Sequence, residues 1–408
     1  MTKVAVVGLG KLGLAVAVSF ANAGNYVYGI DHNEDLLYDI REGTDPHNEP
    51  YLEGALQLAL DGGKFALTTD YAVVKDCDFS IIIVPTPSGD DGRFLNTYVV
   101  TAISQIAAYA KSGHIVVVSS TVMPGSCEQV FVPIAQPKSL GLVYSPEFIA
   151  LGSVVYDFIH PDMVLIGGER KYAKAYEKLI RTVVGDKVPV HAMSLTEAEI
   201  TKLSLNTYLN FKIAFANTIA RLALPYDADP KKITKAIGAD TRVGKKFFSP
   251  GLPPGGTCLP RDLEAFISFG GGDPVSDLAK SIRKVNSVTQ FDVVEQIAEH
   301  VKDGQTIGVL GLSYKTGTPV TEKAFGYWLA DAYSELGYTV NCYDPKAVAP
   351  PRTIQRATAA ECVNNSDVVV ICTQEAEFAS VDLHDKTTID IWGVREDSPS
   401  IFCPFKPV

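Results

Sequence analysis

The chain writes one pattern twice, and that repetition limits its possible folds more than any other feature. Residues 3–31, "KVAVVGLGKLGLAVAVSFANAGNYVYGID", read as a buried strand, a glycine turn, a helix and a second strand ending on Asp31. The final third repeats the first strand and turn in "QTIGVLGLSYK" (305–315) and the second strand in "GYTVNCYDP" (337–345). Further apolar runs follow each copy: "DCDFSIIIVPTP" and "GHIVVVSSTVMPG" after the first, "NSDVVVICT" and "KTTIDIWG" after the second. Strands of this kind, separated by helices, belong to parallel sheets covered on both faces. The expected fold is therefore α/β, with two Rossmann-like doubly wound domains bracketing the chain.

Between the copies, "TEAEITKLSLNTYLNFKIAFANTIARLAL" (196–224) contains neither glycine nor proline and carries apolar residues at helical spacing, so it should form one long helix. Helices of this length often join domains and pack against a second subunit. The expected organisation is a first Rossmann domain over 1–195, a central helical domain over 196–295 and a second Rossmann-like domain over 296–408. The middle part is expected to be a small helical dimerisation domain, giving a homodimer through the central helix.

In the first copy Gly8, Gly10 and Gly13 make the GxGxxG spacing, with Lys11 and Leu12 inside it. Glycine at these places allows a tight turn, close approach of the backbone to a pyrophosphate, and close packing of helix on strand. Asp31, at the tip of the second strand, can accept hydrogen bonds from an adenosine ribose and would repel a 2′-phosphate, so NAD is the expected cofactor rather than NADP. The next two strands end at "VPTP" and "SSTVMPG", at the sheet edge where ligands bind. Thr86 and Thr121 are accordingly cofactor-side candidates, or hydroxyls that cap the following helices. The second copy keeps Gly308 and Gly311 but has Tyr314 where the third glycine would fall, so its phosphate turn is degraded and a different ligand is expected there.

Composition sets outer limits. With 408 residues, 46% hydrophobic and 20% charged, the chain can form two or three domains and bury a catalytic cleft. No apolar run reaches the ~18 residues of a membrane helix, and the start has no signal-peptide layout, so a cytoplasmic location is expected. A net charge of −11 disfavours nucleic acid as a partner. The seven cysteines, at 77, 127, 258, 342, 362, 372 and 403, include no CxxC pair and no metal-ligand spacing, which argues against disulfides and against a metal site.

Two further features concern chemistry. "FFSPGLPPGGTCLPRD" (247–262) cannot be regular helix or strand until after Cys258, because Pro253 and Pro254 lack amide donors and Gly255 and Gly256 free the backbone. Its thiol is either a nucleophile on a shaped loop or a small buried apolar side chain. On the central helix Lys202, Asn206 and Asn210 are spaced four apart and share a face. That row reads either as cleft-facing or as a solvated stripe with Lys202 near Glu199.

Taken in order, "VGLGKLGL", "VPTP", "SSTVMPG", "SPEF", "HPD", "KLSLNTYLNFKIAFANTIA", "GADTRVG", "GGTCLPRD" and "GLSYKTGT" resemble the UDP-glucose/GDP-mannose dehydrogenase family over nearly the whole chain. The resemblance implies oxidation of the C6 alcohol of a nucleotide sugar to a carboxylate, with two NAD consumed. It places a catalytic cysteine at Cys258, an oxyanion-stabilising lysine at Lys202, and water- or sugar-positioning groups at Asn206 and Asp262. It also implies an acid at Glu147, Thr121 near the reacting centre, and substrate contacts at Phe148, Lys202, Asn206, Lys212, Arg242, Gly255 and Lys315, with Arg242 reaching a neighbouring subunit's site. The chain departs from the family at Ala150 and Leu151 after "SPEF", at Arg261 for a lysine, and at Pro319, Val320 and Glu322 where paired acids and an arginine are common. Those departures predict altered sugar-nucleotide selectivity, with Lys323 as a possible replacement cation.

Overall fold

The computed structural model describes residues 1–272, 274–384 and 386–395. The chain divides into two compact units, Met1–Ser204 and Leu205 onward, and the division falls within the central helix. Cys403 lies outside the described residues.

The first unit is built on eight strands: β1 (Lys3–Val7), β2 (Tyr26–Ile30), β3 (Phe65–Thr68), β4 (Phe79–Ile82), β5 (Ile115–Val118), β6 (Gly141–Tyr144), β7 (Val164–Gly168) and β8 (Val190–Met193). Their order is β3-β2-β1-β4-β5-β6-β7-β8, and every pair is parallel except β6 with β7. Alternate residues of one strand enter separate cores on the two faces: Val4 and Val6 on one side of β1, Ala5 and Val7 on the other. Both faces are covered, which is why these strands read as continuous apolar runs. Strand order reverses about β1, so the crevice at its carboxyl end, between β1 and β4, is the place for a ligand in a sheet of this kind.

The central helix runs from Leu195 to Ala223, within one residue of the expected span. Ser194 and Glu197 start it as a reciprocal cap: the Glu197 amide donates to the Ser194 hydroxyl at 3.2 Å, and the Ser194 amide donates to the Glu197 carboxylate at 2.7 Å. A short 3-10 turn with Pro225, followed by Asp227 in the left-handed region (φ 50°), ends it.

In the second unit the helices Pro230–Gly238, Leu259–Phe269 and Pro274–His300 precede a five-stranded sheet. Its strands are β9 (Ile307–Leu310), β10 (Val340–Tyr343), β11 (Ile354–Gln355), β12 (Val368–Ile371) and β13 (Thr387–Asp390), all parallel in the order β11-β10-β9-β12-β13. This repeats the order of the first five strands of the larger sheet, β3-β2-β1-β4-β5, so the repeated sequence pattern is a repeated fold.

Gly311 (φ +93°) stands after β9 as Gly8 (φ +89°) stands after β1. The third glycine of the second copy is not lost at position 314. A Cβ on Gly13 would lie 1.8 Å from the Gly8 carbonyl oxygen, and a Cβ on Gly326 would lie 2.0 Å from the Gly311 carbonyl oxygen. Gly326 therefore does the packing work of Gly13, fifteen positions after its turn glycine (326 − 311) rather than five (13 − 8). The longer excursion replaces the phosphate turn with a loop, and fixed-spacing comparison of the two copies misplaces the glycine.

Candidate active site

On the cofactor side, β1 delivers the chain into a turn that only glycine fits. A Cβ on Gly8 would stand 2.4 Å from the Ile83 carbonyl oxygen, whereas nothing lies within 4 Å of the Cβ position of Gly10. Lys11 and Leu12 then open the helix Lys11–Asn22, whose first turn has no side-chain cap. Open space beside Gly10 and uncapped helix amides suit the pyrophosphate of a dinucleotide. Asp31 sits at the tip of β2, where Oδ2 accepts the Leu9 amide at 2.8 Å and Oδ1 accepts the Asn33 amide at 3.0 Å. The carboxylate thus shapes the turn. Asp344 makes the same bonds in the second copy, from the Leu312 and Lys346 amides, both at 2.8 Å.

The carboxyl ends of β4 and β5 are tied together by hydroxyls. Thr86 is buried and donates to the Thr121 carbonyl at 2.7 Å; Ser120 Oγ donates to the Val84 carbonyl at 2.7 Å and accepts the Val84 amide at 2.9 Å. These side chains join strand ends rather than cap helices. His47, which no motif pointed to, reaches the same region with its Nε2 3.0 Å from the Leu9 carbonyl oxygen.

Beyond β6, Pro146 leads into Glu147 and Phe148. The Glu147 carboxyl is desolvated, and burial pushes it up to about 8 although the Lys202 ammonium pulls the other way. Lys202 is 7% exposed; its Nζ donates to the Glu147 carbonyl at 2.7 Å and lies 4.5 Å from the centre of the Phe148 ring. The neighbouring acid, Glu199, is fully buried and turned to other partners, so the first turns of this face are not a solvated stripe.

The second unit holds the thiol. Cys258 is exposed, which removes the reading of it as a packing residue. It stands at the start of the helix Leu259–Phe269. Asp262, one turn on and 1% exposed, accepts from Asn206 Nδ2 at 2.6 Å and has Arg261 at 3.5 Å. Asn210 holds the helix start through the Leu259 carbonyl at 2.9 Å. The preceding loop is fastened at both ends. The Gly251 amide donates to Asn217 Oδ1 at 2.8 Å, and the Gly256 amide donates to the Glu322 carbonyl at 3.0 Å, while Tyr314 packs against Gly255 and Gly256.

The remaining candidates are placed as follows. Lys212 is buried, donating to the carbonyls of Val243 and Gly244, both at 3.1 Å. Arg242 is exposed and paired with Asp240 at 2.6 Å. Lys315 is half-buried with Nζ 5.9 Å from the centre of the Tyr314 ring. Glu322 and Lys323 are exposed, Lys323 with φ +50°. Glu199, like His47, lies outside the motifs, and nothing within the helix motif singles out Asn217, because their roles depend on partners distant in sequence.

A Gly8–Gly13 turn with an acid at the tip of β2, and two parallel sheets of related order, define a Rossmann-type dehydrogenase. Three models of the UDP-glucose/GDP-mannose dehydrogenase family match in order: the NAD binding domain over 2–184, the central domain over 196–288 and the UDP binding domain over 308–396. The chain is 30% identical over 390 residues to UDP-glucose 6-dehydrogenase YwqF of Bacillus subtilis, covering 92% of this chain and 88% of that protein. Among solved structures it resembles a UDP-glucose dehydrogenase from Pyrobaculum islandicum, with a TM-score of 0.89, 30% identity and coverage of 96% and 94% of the two chains. It also resembles a UDP-D-ManNAc dehydrogenase from Pyrococcus horikoshii, with a TM-score of 0.86, 27% identity and coverage of 98% and 97%. The chain belongs to the UDP-glucose/GDP-mannose dehydrogenase family. Its cofactor is NAD, held by the first domain. No helix among the described residues is long and apolar enough to cross a membrane.

Proposed function

We propose that the protein oxidises the C6 alcohol of a UDP-sugar to the carboxylate, with Cys258 carrying the sugar as a thioester. The observation that supports this best is the exposed Cys258 thiol at a helix start, with the buried Asp262–Asn206 pair one turn away at 2.6 Å. NAD, when bound, supplies the hydride acceptor, one molecule for each of the two oxidations. The first oxidation leaves an aldehyde. Cys258 thiolate adds to its carbon, forming a C–S bond as the carbonyl electron pair moves to oxygen; loss of hydride from that carbon then gives the thioester. Water adds to the thioester carbon, the C–S bond breaks, and the thiolate returns as the carboxylate forms.

Lys202 provides positive charge where oxygen becomes negative, held by the Glu147 carbonyl and the Phe148 ring. Asn206 and Asp262 orient the water. Glu147, with its carboxyl raised to about 8, exchanges a proton with that water near neutral pH. Thr121 and Thr86 line the cofactor side. Lys315 and the Gly255 backbone receive the nucleotide, and Lys212 supports the site by fastening the Val243–Gly244 turn beside Arg242. The exposed, partly stacked row Tyr208, Phe211 and Phe215 on the central helix supports a homodimer in which Arg242 serves the neighbouring subunit. A cytoplasmic location, where NAD and nucleotide sugars occur together, goes with this reading.

The test is a panel of UDP-glucose, UDP-N-acetylhexosamines and GDP-mannose with NAD, counting NADH formed per sugar. Two NADH per sugar and an acid product are expected. One NADH with an aldehyde or ketone product would replace the reading with a two-electron dehydrogenase.

A further inference from the structure

Glu199 is a carboxylate with no exposed surface, three residues before Lys202 on the central helix. Both of its oxygens are engaged: Oε2 accepts the Gly125 amide at 2.6 Å and Oε1 accepts the Cys127 amide at 2.7 Å. Those amides lie where the chain leaves β5 through Thr121 and turns, at Gly125 (φ +90°), into the helical segment that begins at Cys127. A buried carboxylate is costly unless its hydrogen-bonding capacity is used, and two backbone amides at a helix start meet that need. The acid supplies the acceptors that the Gly125 and Cys127 amides need at this buried position.

Lys202 makes the second connection, to the Glu147 carbonyl at 2.7 Å beyond β6. β5 and β6 are adjacent parallel strands. The first turns of the helix are thereby fastened to the carboxyl ends of two neighbouring strands, through side chains one turn apart. With the Glu199 bonds in place, the backbone beneath Lys202 cannot slide or rotate without losing two short hydrogen bonds in the core.

We infer that Glu199 is the positioning residue for Lys202: by clamping the Gly125–Cys127 turn to the catalytic helix, it fixes where the ammonium meets the developing negative charge. This rests on the role proposed above for Lys202. The experiment is a double-mutant cycle on kcat at saturating NAD and sugar, using Lys202→Arg, Glu199→Gln and the double variant, with melting temperature and KM for both substrates recorded. Lys202→Arg is expected to lower kcat by about a hundredfold, the scale of a misplaced charge stabiliser. Glu199→Gln, which keeps one acceptor and aims an NH2 at the other amide, is expected to lower kcat by roughly tenfold or more while KM values change by less than about threefold. Because Glu199 acts through Lys202, the double variant should fall within about threefold of Lys202→Arg alone. Multiplying losses would overturn the inference and leave Glu199 as a general support of the fold. Wild-type kcat in Lys202→Arg would instead overturn the role of Lys202. Should Glu199→Gln not fold, Glu199→Asp carries the same cycle, since it retains the charge at a shorter reach.

Discussion

Glu147 offers a measurable link between burial and chemistry. Its carboxyl has an ordinary value of 4.5 and is pushed up to about 8 in the folded protein, burial outweighing the attraction of Lys202. Between those values the folded state holds a proton that the unfolded chain has released. Stability must therefore fall as pH rises through this window, at ~1.4 kcal/mol per pH unit for one group. The loss begins above 4.5 and is complete above about 8, so the step from pH 6 to pH 8 costs about 2 kcal/mol. Glu147→Gln, close in shape and uncharged, removes that contribution. Urea unfolding of wild type and Glu147→Gln at pH 6 and pH 8, followed by circular dichroism, isolates it as a difference of differences. The variant should gain about 2 kcal/mol relative to wild type on going from pH 6 to pH 8. A protonated-carboxyl infrared band present at pH 6, absent at pH 9 and missing from the variant would report the same proton directly. If the stability difference is the same at both pH values to within about 0.5 kcal/mol, Glu147 is ionised throughout and its assignment as a proton-exchanging group is wrong.

Cys258→Ala should abolish carboxylate formation while leaving NAD affinity and melting temperature near wild type; wild-type acid production by this variant would remove the thioester from the mechanism. Asp31→Ala should weaken NAD binding by about 1–3 kcal/mol, because it takes acceptors from the ribose position and from the Leu9 and Asn33 amides. Titration calorimetry with NAD and NADP reads it, and a wild type that binds both equally would refute the role. Gly251→Ala should destabilise the protein by roughly 1–3 kcal/mol, since its Cβ would stand 2.1 Å from the Trp392 ring; an unchanged melting temperature would show that the ring yields freely. On selectivity, efficient turnover of UDP-glucose, unaffected by Glu322→Ala and Lys323→Ala, would show that the chain's departures after Lys315 are neutral.

Several parts of the molecule were legible in the residues because local physics decides them. The apolar runs and glycine turn before Asp31 could be read as strand, turn, helix and strand, and the chain forms them. The helix over 196–224 was legible from helical spacing and the lack of breakers, and it starts and stops within one residue of that span. The second sheet was legible as a repeat of the first, but its third glycine was not. A loop of any length leaves the packing requirement at Gly326 unchanged, and counting positions cannot see that requirement. β11, only two residues long, and the β7–β8 extension of the first sheet exist through pairing with strands already in place.

The site divides in the same way. By itself the sequence determined which chemistry is at hand: a thiol after a Pro-Gly loop, a lysine and an asparagine one helical turn apart, an acid at a strand tip. Each is a matter of residue type and short-range spacing. Only the tertiary structure decided that Cys258 is exposed while the other cysteines it describes are buried, and that Lys212 faces backbone carbonyls. It alone showed that Asp31 and Asp344 brace the turns beside them, and that Glu199 ties the central helix to a turn 72 and 74 residues away in sequence. Burial and hydrogen-bond partnership are properties of the folded packing, because they depend on which distant segments displace water from a given atom. Residue type sets what a side chain can do, and the neighbours brought to it by folding set whether it does so.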